Sequence, residues 1–403
     1  KLCDLNRLRC ATWCVLCSRV FPLRVYNPSM IQKTLPQPIY VDTPNTLNTL
    51  VKDLSSESVI AIDTESNSLH AYQEQVCLIQ FSTPAQDYLL DPIALPNIGA
   101  LSPIFENPEI EKIFHAAEYD LICLKRDFDF RFVNIFDTMI AVRILGYKKV
   151  GLGNLLDQKF NVKVNKKFQK ADWGKRPLTD EMLSYARLDT HYLIELRRMF
   201  KEELEKALSW ELAREDFEIA ASLAGVNNRK QLPTWERVGG RAKLDPRQAT
   251  VLNEVCLTRE HLAAKLNRPP FKIIGNQSLI KLAEIQPRSQ RDMEIEGFSP
   301  RQIGRFGKAF IAAVERGRHA DVVKRTPSSR PSDAFIFRFE QLRNWRKEKA
   351  KKMNVESDVV LPRFLMESIA KQNPNDLEEL AAIMEKSPWR LEKYGEEILS
   401  AAR

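Results

Sequence analysis

The sequence predicts an α/β domain followed by two small all-α modules, and three observations carry that prediction. Short apolar runs of strand length alternate with helical patterns between about residue 38 and residue 210. From about Asn227 onward strand-like runs almost vanish, and helical patterns rich in Lys, Arg and Glu take over. The second half also repeats itself.

The strand candidates are residues 59–63, 76–82, 88–90, 113–115 and a short 135–136, with helical segments between and after them. Leu121, Ile122, Cys123 and Leu124, following Asp120, fit a buried helix face. Such alternation predicts a mixed sheet flanked by helices. In the second half one copy of the repeat runs from Leu252 through Pro287 to Arg305-Phe306-Gly307, and the other from Leu342 through Pro374 to Lys393-Tyr394-Gly395. Each puts an apolar helix pattern ahead of the proline and a basic-aromatic-glycine triplet after it. Residues 324–333 between the copies have linker composition. At 403 residues the chain is too long for one ordinary core, and its 44% hydrophobic content suffices to fill two or three. A formal net charge of +8 favours a polyanionic partner, for which nucleic acid is the natural candidate.

Four acids and a tyrosine carry the chemistry. Asp63 and Glu65 follow the apolar run Val59-Ile60-Ala61-Ile62, so their i, i+2 spacing on a strand sends both carboxylates to one side of the sheet. Asp120 stands alone in a second segment. Tyr185 and Asp189 share a helix face at i, i+4. Acids drawn this close repel and resist ionisation unless a cation compensates. Hard oxygen ligands select Mg²⁺ or Mn²⁺ over zinc, and no His or Cys stands beside these acids at zinc-finger spacing. Two such ions, about 3.5 to 4 Å apart, can hold the attacking water and the leaving oxygen of a phosphodiester displacement. Tyr185 is then placed to position the water.

Ala61-Ile62-Asp63-Thr64-Glu65, His115-Ala116-Ala117-Glu118-Tyr119-Asp120-Leu121 and Tyr185-Ala186-Arg187-Leu188-Asp189 resemble, in order, the three exonuclease motifs of the ribonuclease D family, DEDDy subclass. Asp137-Thr138, Lys167, Gln169, Asp172-Trp173 and Arg176-Pro177-Leu178 resemble further stretches of that family. The resemblance implies a ribonuclease H-like 3'-5' exonuclease fold, with Asp63, Glu65, Asp120 and Asp189 as ligands of two divalent ions and Tyr185 orienting the water. Glu65 is also implied to contact the terminal sugar hydroxyl. The implied reaction is trimming of RNA with a single-stranded 3' end, transfer RNA precursors in particular, with release of nucleoside 5'-monophosphates. Both repeat copies resemble the HRDC domain, Leu342-Arg343-Asn344-Trp345-Arg346 most closely, and the implied role is auxiliary RNA binding. Domain limits are accordingly expected at 38–210 for the exonuclease, 211–240 for a connecting helix and linker, 241–318 and 334–403 for the HRDC domains, and 319–333 for the linker between them. Two rival readings use the same features: a DNA-directed 3'-5' exonuclease of proofreading or repair, and a non-catalytic nucleic-acid binding protein.

Residues 163–176 combine Lys163, Lys166, Lys167, Lys170, Lys175 and Arg176 with Phe168 and Trp173, a mixture suited to phosphate attraction with aromatic packing. Lys166, Lys167, Gln169, Lys170, Trp173 and Arg176 are therefore candidate nucleic-acid contacts, although Trp173 would equally pin this loop to the helix bearing Tyr185. His115, at a strand end, and His191, on a different helix face from Tyr185, read as structural. Residues 1–37 hold four of the seven cysteines, and Cys10, Cys14 and Cys17 have the spacing of an iron–sulfur motif. That chemistry needs a downstream barrel, and the downstream sequence is accounted for otherwise. The segment is instead read as a disordered leader preceding the domain. It lacks an apolar stretch of the roughly 20 residues a membrane span requires. Cys77, Cys123 and Cys256 sit singly in apolar patterns and read as reduced core residues, so a cytoplasmic location, no membrane contact and no obligate protein partner are expected.

Overall fold

A computed structural model describes residues 35–223, 234–326 and 330–403. Its first half is built on a six-stranded mixed sheet. The chain enters through β1 (Ile39–Val41) and α1 (Pro44–Ser55), the latter opened by Pro44 at N1 and a reciprocal Thr43–Thr46 capping box. There follow β2 (Val59–Ser66), β3 (Val76–Ser82), β4 (Asp87–Leu90), a short α2 (Ser102–Phe105), β5 (Glu111–Phe114), α3 (Glu118–Phe128), β6 (Ile135–Asp137) and α4 (Thr138–Ile144). Helices α5 (Leu152–Phe160), α6 (Asp180–Ala186), α7 (Leu188–His191), α8 (Leu193–Lys206) and α9 (Trp210–Leu223) complete the half.

The strand order is β1-β4-β3-β2-β5-β6. The β2–β3 and β3–β4 pairs are antiparallel, whereas β1–β4, β2–β5 and β5–β6 are parallel. This meander-then-crossover arrangement puts β2, the strand with two of the acids, at the centre. Its apolar start, Ile60-Ala61-Ile62, is fully buried, as expected for a strand covered on both faces. Two expectations are corrected. The second strand runs to Ser66, so Glu65 lies within it and not just past its end. The edge strand β1 was not expected, because three residues beside Pro36 and Pro38 are too few to display a period.

The second half is helical. One five-helix module comprises α10 (Pro246–Lys265), α11 (Pro270–Ile273), α12 (Asn276–Ile285), α13 (Gln290–Ile295) and α14 (Pro300–His319). The other comprises α15 (Asp333–Met353), α16 (Ser357–Val360), α17 (Arg363–Gln372), α18 (Leu377–Ile383) and α19 (Pro388–Ala402). The repeat has a physical reason. Gly307 and Gly395 occupy the same place in the last helix of each module, and a Cβ there would lie 3.0 Å from Gln290 in one and 2.9 Å from Leu377 in the other. Each module has its own apolar core.

The second module is fastened to the α/β half by charge. Arg390, wholly buried, reaches the Glu215 and Asp216 carboxylates of α9 and also donates to the carbonyls of Val359 and Val360. Arg143 bridges Glu356 and Asp358 at 2.8 and 2.5 Å. The first module meets the β2–β3 loop, where Asn267 accepts from the Tyr72 amide at 3.1 Å and the Tyr72 ring packs on the module core. The expected leader and its Cys10-Cys14-Cys17 motif lie outside the described residues, apart from residues 35–37, as do 224–233 and 327–329 of the two expected linkers. Among the described residues no helix is long and apolar enough to cross a membrane. Cys77, Cys123 and Cys256 are free and buried.

Candidate active site

Three elements bring the acids into mutual range. β2 carries Asp63 and Glu65, the first turn of α3 carries Asp120, and α6–α7 carry Tyr185 and Asp189. The expected single helix over Tyr185 and Asp189 is divided at Arg187, but Arg187 keeps right-handed helical dihedrals, so the two residues still face the same way. Asp120 sits where the unpaired amides of a helix N-terminus favour negative charge. The turn ahead of it is fixed by Asp137, whose carboxylate accepts from the Ala116 and Ala117 amides at 3.0 and 2.7 Å. Ala116 has a φ of 66°, a left-handed backbone that a side-chain-bearing residue holds only under such restraint. Thr64, between the two acids of β2, donates to Asp120 at 2.5 Å and couples the first two segments.

The electrostatics record the crowding. Burial is the first cause of every upward shift in the group, and the neighbouring acids add to it. The Asp63 carboxyl is pushed well up by burial and then by Asp120, Asp189 and Glu65. Glu65 rises to about 9 through burial, Asp189 and Asp120. Asp189 rises to about 7 through burial and Asp120. Asp120 also reaches about 7 by burial, against the opposing pull of the Thr64 hydrogen bond. Burial, then Asp189, Glu65 and Asp63, drive the Tyr185 hydroxyl above its ordinary range, so it stays protonated and able to donate. Among the described residues no three His, Cys, Asp or Glu side chains form a closed cage of the kind that surrounds an ion.

Tyr185 is buried between Phe168 and Trp173, whose ring centroids lie 5.7 and 6.1 Å away. Behind it a buried polar network secures α7 to the sheet. Arg187 and His191 reach Asp87 at 2.6 and 2.8 Å, and the Ser82 hydroxyl bonds both Asp87 and Thr190. Burial pushes the Asp87 carboxyl up, but His191, Ser82 and Arg187 outweigh it and hold the group below its ordinary range.

The basic loop divides into exposed and internal residues. Lys166, Lys167, Gln169 and Lys170 are exposed on a 3-10 turn, and Gln169 slightly opposes the upward shift of the Tyr185 hydroxyl. Two candidates for nucleic-acid contact are corrected. Trp173 is 1% exposed and acts as the packing pin against Tyr185. Arg176 has its guanidinium engaged by Asp91 at 2.5 Å and by the Cys77 and Trp173 carbonyls, so a phosphate would have to displace internal bonds. His115, bonded to Thr138, and His191 are structural. The sequence singled out Asp137 without its role, and gave no role to Thr64, Arg187 or Asp87. Thr64 and Arg187 lie inside motifs and offered only that position as a signal, while Asp87 offered none.

Comparison with known proteins agrees with this architecture. Residues 38–205 match the 3'-5' exonuclease family, and residues 248–314 and 338–401 each match the HRDC domain. The chain is 34% identical over 254 residues to an exosome complex component 10 homolog of Caenorhabditis elegans, covering 62% of this chain and 29% of that one. It is 25% identical to ribonuclease D of Pseudomonas paraeruginosa over 91% of this chain and 98% of that one. The catalytic core of RRP6 from Trypanosoma brucei superposes with a TM-score of 0.62 at 29% identity, covering 70% of this chain and 80% of that one. The exosome-type and RRP6-like relatives it matches are longer, and the chain spans 20% to 54% of their lengths. The fold and the comparisons together show a 3'-5' exonuclease domain followed by two HRDC domains, in a chain homologous to ribonuclease D along 91% of its length.

Proposed function

We propose that this protein is a metal-dependent 3'-5' exoribonuclease. The observation that carries the reading is the gathering of four acids from three elements around one buried tyrosine, close enough that Asp63, Glu65 and Asp189 are each raised by their neighbours. An enclosure of hard oxygens that is costly to ionise suits a group of compensating positive charge. Asp63, Glu65, Asp120 and Asp189 are assigned to hold two Mg²⁺ or Mn²⁺ ions. Bound there, such ions lower the pKa of an attacking water and offset charge on the departing oxygen. Tyr185, held protonated, orients the water, while Phe168 and Trp173 keep its ring from swinging away. Glu65 is also assigned to the terminal sugar hydroxyl, and the products are nucleoside 5'-monophosphates.

The substrate is RNA with a single-stranded 3' end, transfer RNA precursors being the specific proposal, in a cytoplasmic setting. Lys166, Lys167 and Lys170 line the approach with positive charge on the exposed turn that covers Tyr185. The two HRDC domains, with proposed limits of 241–318 and 334–403, are assigned auxiliary RNA binding. End-labelled RNA with a free or a blocked 3' terminus, and a matched DNA, test the reading. Stepwise shortening of the free RNA alone, silenced by a chelator and restored by Mg²⁺ or Mn²⁺, is expected. Equal digestion of the blocked RNA would overturn the polarity, and preference for the DNA would overturn the substrate class.

A further inference from the structure

Gln80 occupies the middle of β3 and is the register partner of Asp63 on β2. Directly opposed residues of an antiparallel pair send their side chains to the same face of the sheet. The Gln80 carboxamide thus lies on the face that carries Asp63 and that receives Asp189 and Thr190 from α7. It is wholly buried, and neither its oxygen nor its nitrogen has a hydrogen-bond partner. Its neighbours on that face are settled: Ser82 is bonded to Asp87 and Thr190, and Leu78 packs with Tyr185 and Trp173 in an apolar cluster. An interior that wanted only filling there would take leucine or methionine. A buried amide with both ends unpaired is a rare and unfavourable arrangement, and it marks a place where a partner arrives.

We infer that Gln80 is a positioning residue for Asp63. Once the acids are drawn together around divalent ions, the Gln80 carboxamide nitrogen donates to the Asp63 carboxylate and fixes its orientation. Gln80 itself touches neither substrate nor ion and acts through Asp63, as outer partners of ligating groups do. The inference rests on the assignment of Asp63 to the ion site made above.

Calorimetric titration of the full chain with Mn²⁺, without RNA, separates this role from a structural one. Gln80→Met keeps length and volume but cannot donate. The expected result is Mn²⁺ affinity weakened about tenfold or more, with metal-free melting unchanged or raised because the orphan amide is gone. Unchanged affinity, with or without a lower melting temperature, would overturn the inference and leave the ion site standing. Absence of Mn²⁺ binding by the unaltered protein would overturn both. Should Gln80→Met fail to fold, Gln80→Asn, which draws the carboxamide back by one methylene, is read by the same two outcomes.

Discussion

Replacing Asp120 with Asn should stabilise the protein when no divalent ion is present, and the effect should depend on pH in a defined direction. Asp120 is buried, and its carboxyl is raised from an ordinary 3.8 to about 7. At about 1.36 kcal/mol per pH unit, that interval is worth on the order of 4 kcal/mol. The native state holds this proton more tightly than the unfolded chain, so the Asp120 contribution to stability is fully present below about pH 4 and is lost as pH rises through about 7. Asparagine has no proton to release and still accepts the Thr64 hydroxyl through its side-chain oxygen. Its advantage should therefore be near zero at pH 4 and complete above pH 7. Denaturation in chelator at pH 4.5 and pH 8 reads the difference directly. Added Mn²⁺ should reverse the order, because it binds the ionised native form of the wild type alone. An advantage of equal size at both pH values, or none at pH 8, would refute the reasoning.

Tyr185→Phe should leave melting unchanged, since Phe168 and Trp173 pack the ring and not the hydroxyl, while RNA trimming at saturating Mg²⁺ falls about a hundredfold or more; full-rate trimming would remove Tyr185 from the chemistry. Gly317→Ala should cost about 1 to 3 kcal/mol in the first HRDC module, because a Cβ there would lie 2.6 Å from the Val251 Cα of α10 and backbone cannot step aside. Thermal melting detects that loss, and an unaltered transition would contradict it. Arg390→Ala should strand the buried Glu215 carboxylate and cost about 3 to 5 kcal/mol at the junction with the second HRDC module. Faster hydrogen exchange along α9 and α19 is the expected readout, and unchanged protection would refute it.

How far the sequence disclosed this molecule depends on how local each signal was. The strands β2 and β3 were legible because long runs such as Val76-Cys77-Leu78-Ile79 have no helical period, and the helical second half because its repeat places equivalent residues twice. The five motif residues were legible because fixed spacings on a strand and a helix aim pairs of side chains. What supports them was not. The clamp of Asp137 on the Ala116 and Ala117 amides spans some twenty residues, and the contact of Asp87 with Arg187 spans 100 residues. No spacing rule reports contacts of that range. The burial of Trp173 and the internal engagement of Arg176 were hidden for a related reason: a basic loop reads alike whether its cations face solvent or carbonyls.

The central claim is that Asp63, Glu65, Asp120 and Asp189 together bind divalent ions. Crystals of the protein soaked in Mn²⁺ and a nucleoside 5'-monophosphate give the most direct test, through the anomalous scattering of the metal. Two anomalous peaks lying among these four carboxylates, both lost in Asp63→Ala crystals, are predicted. Peaks elsewhere, or no peak between the acids at saturating Mn²⁺, would contradict the account.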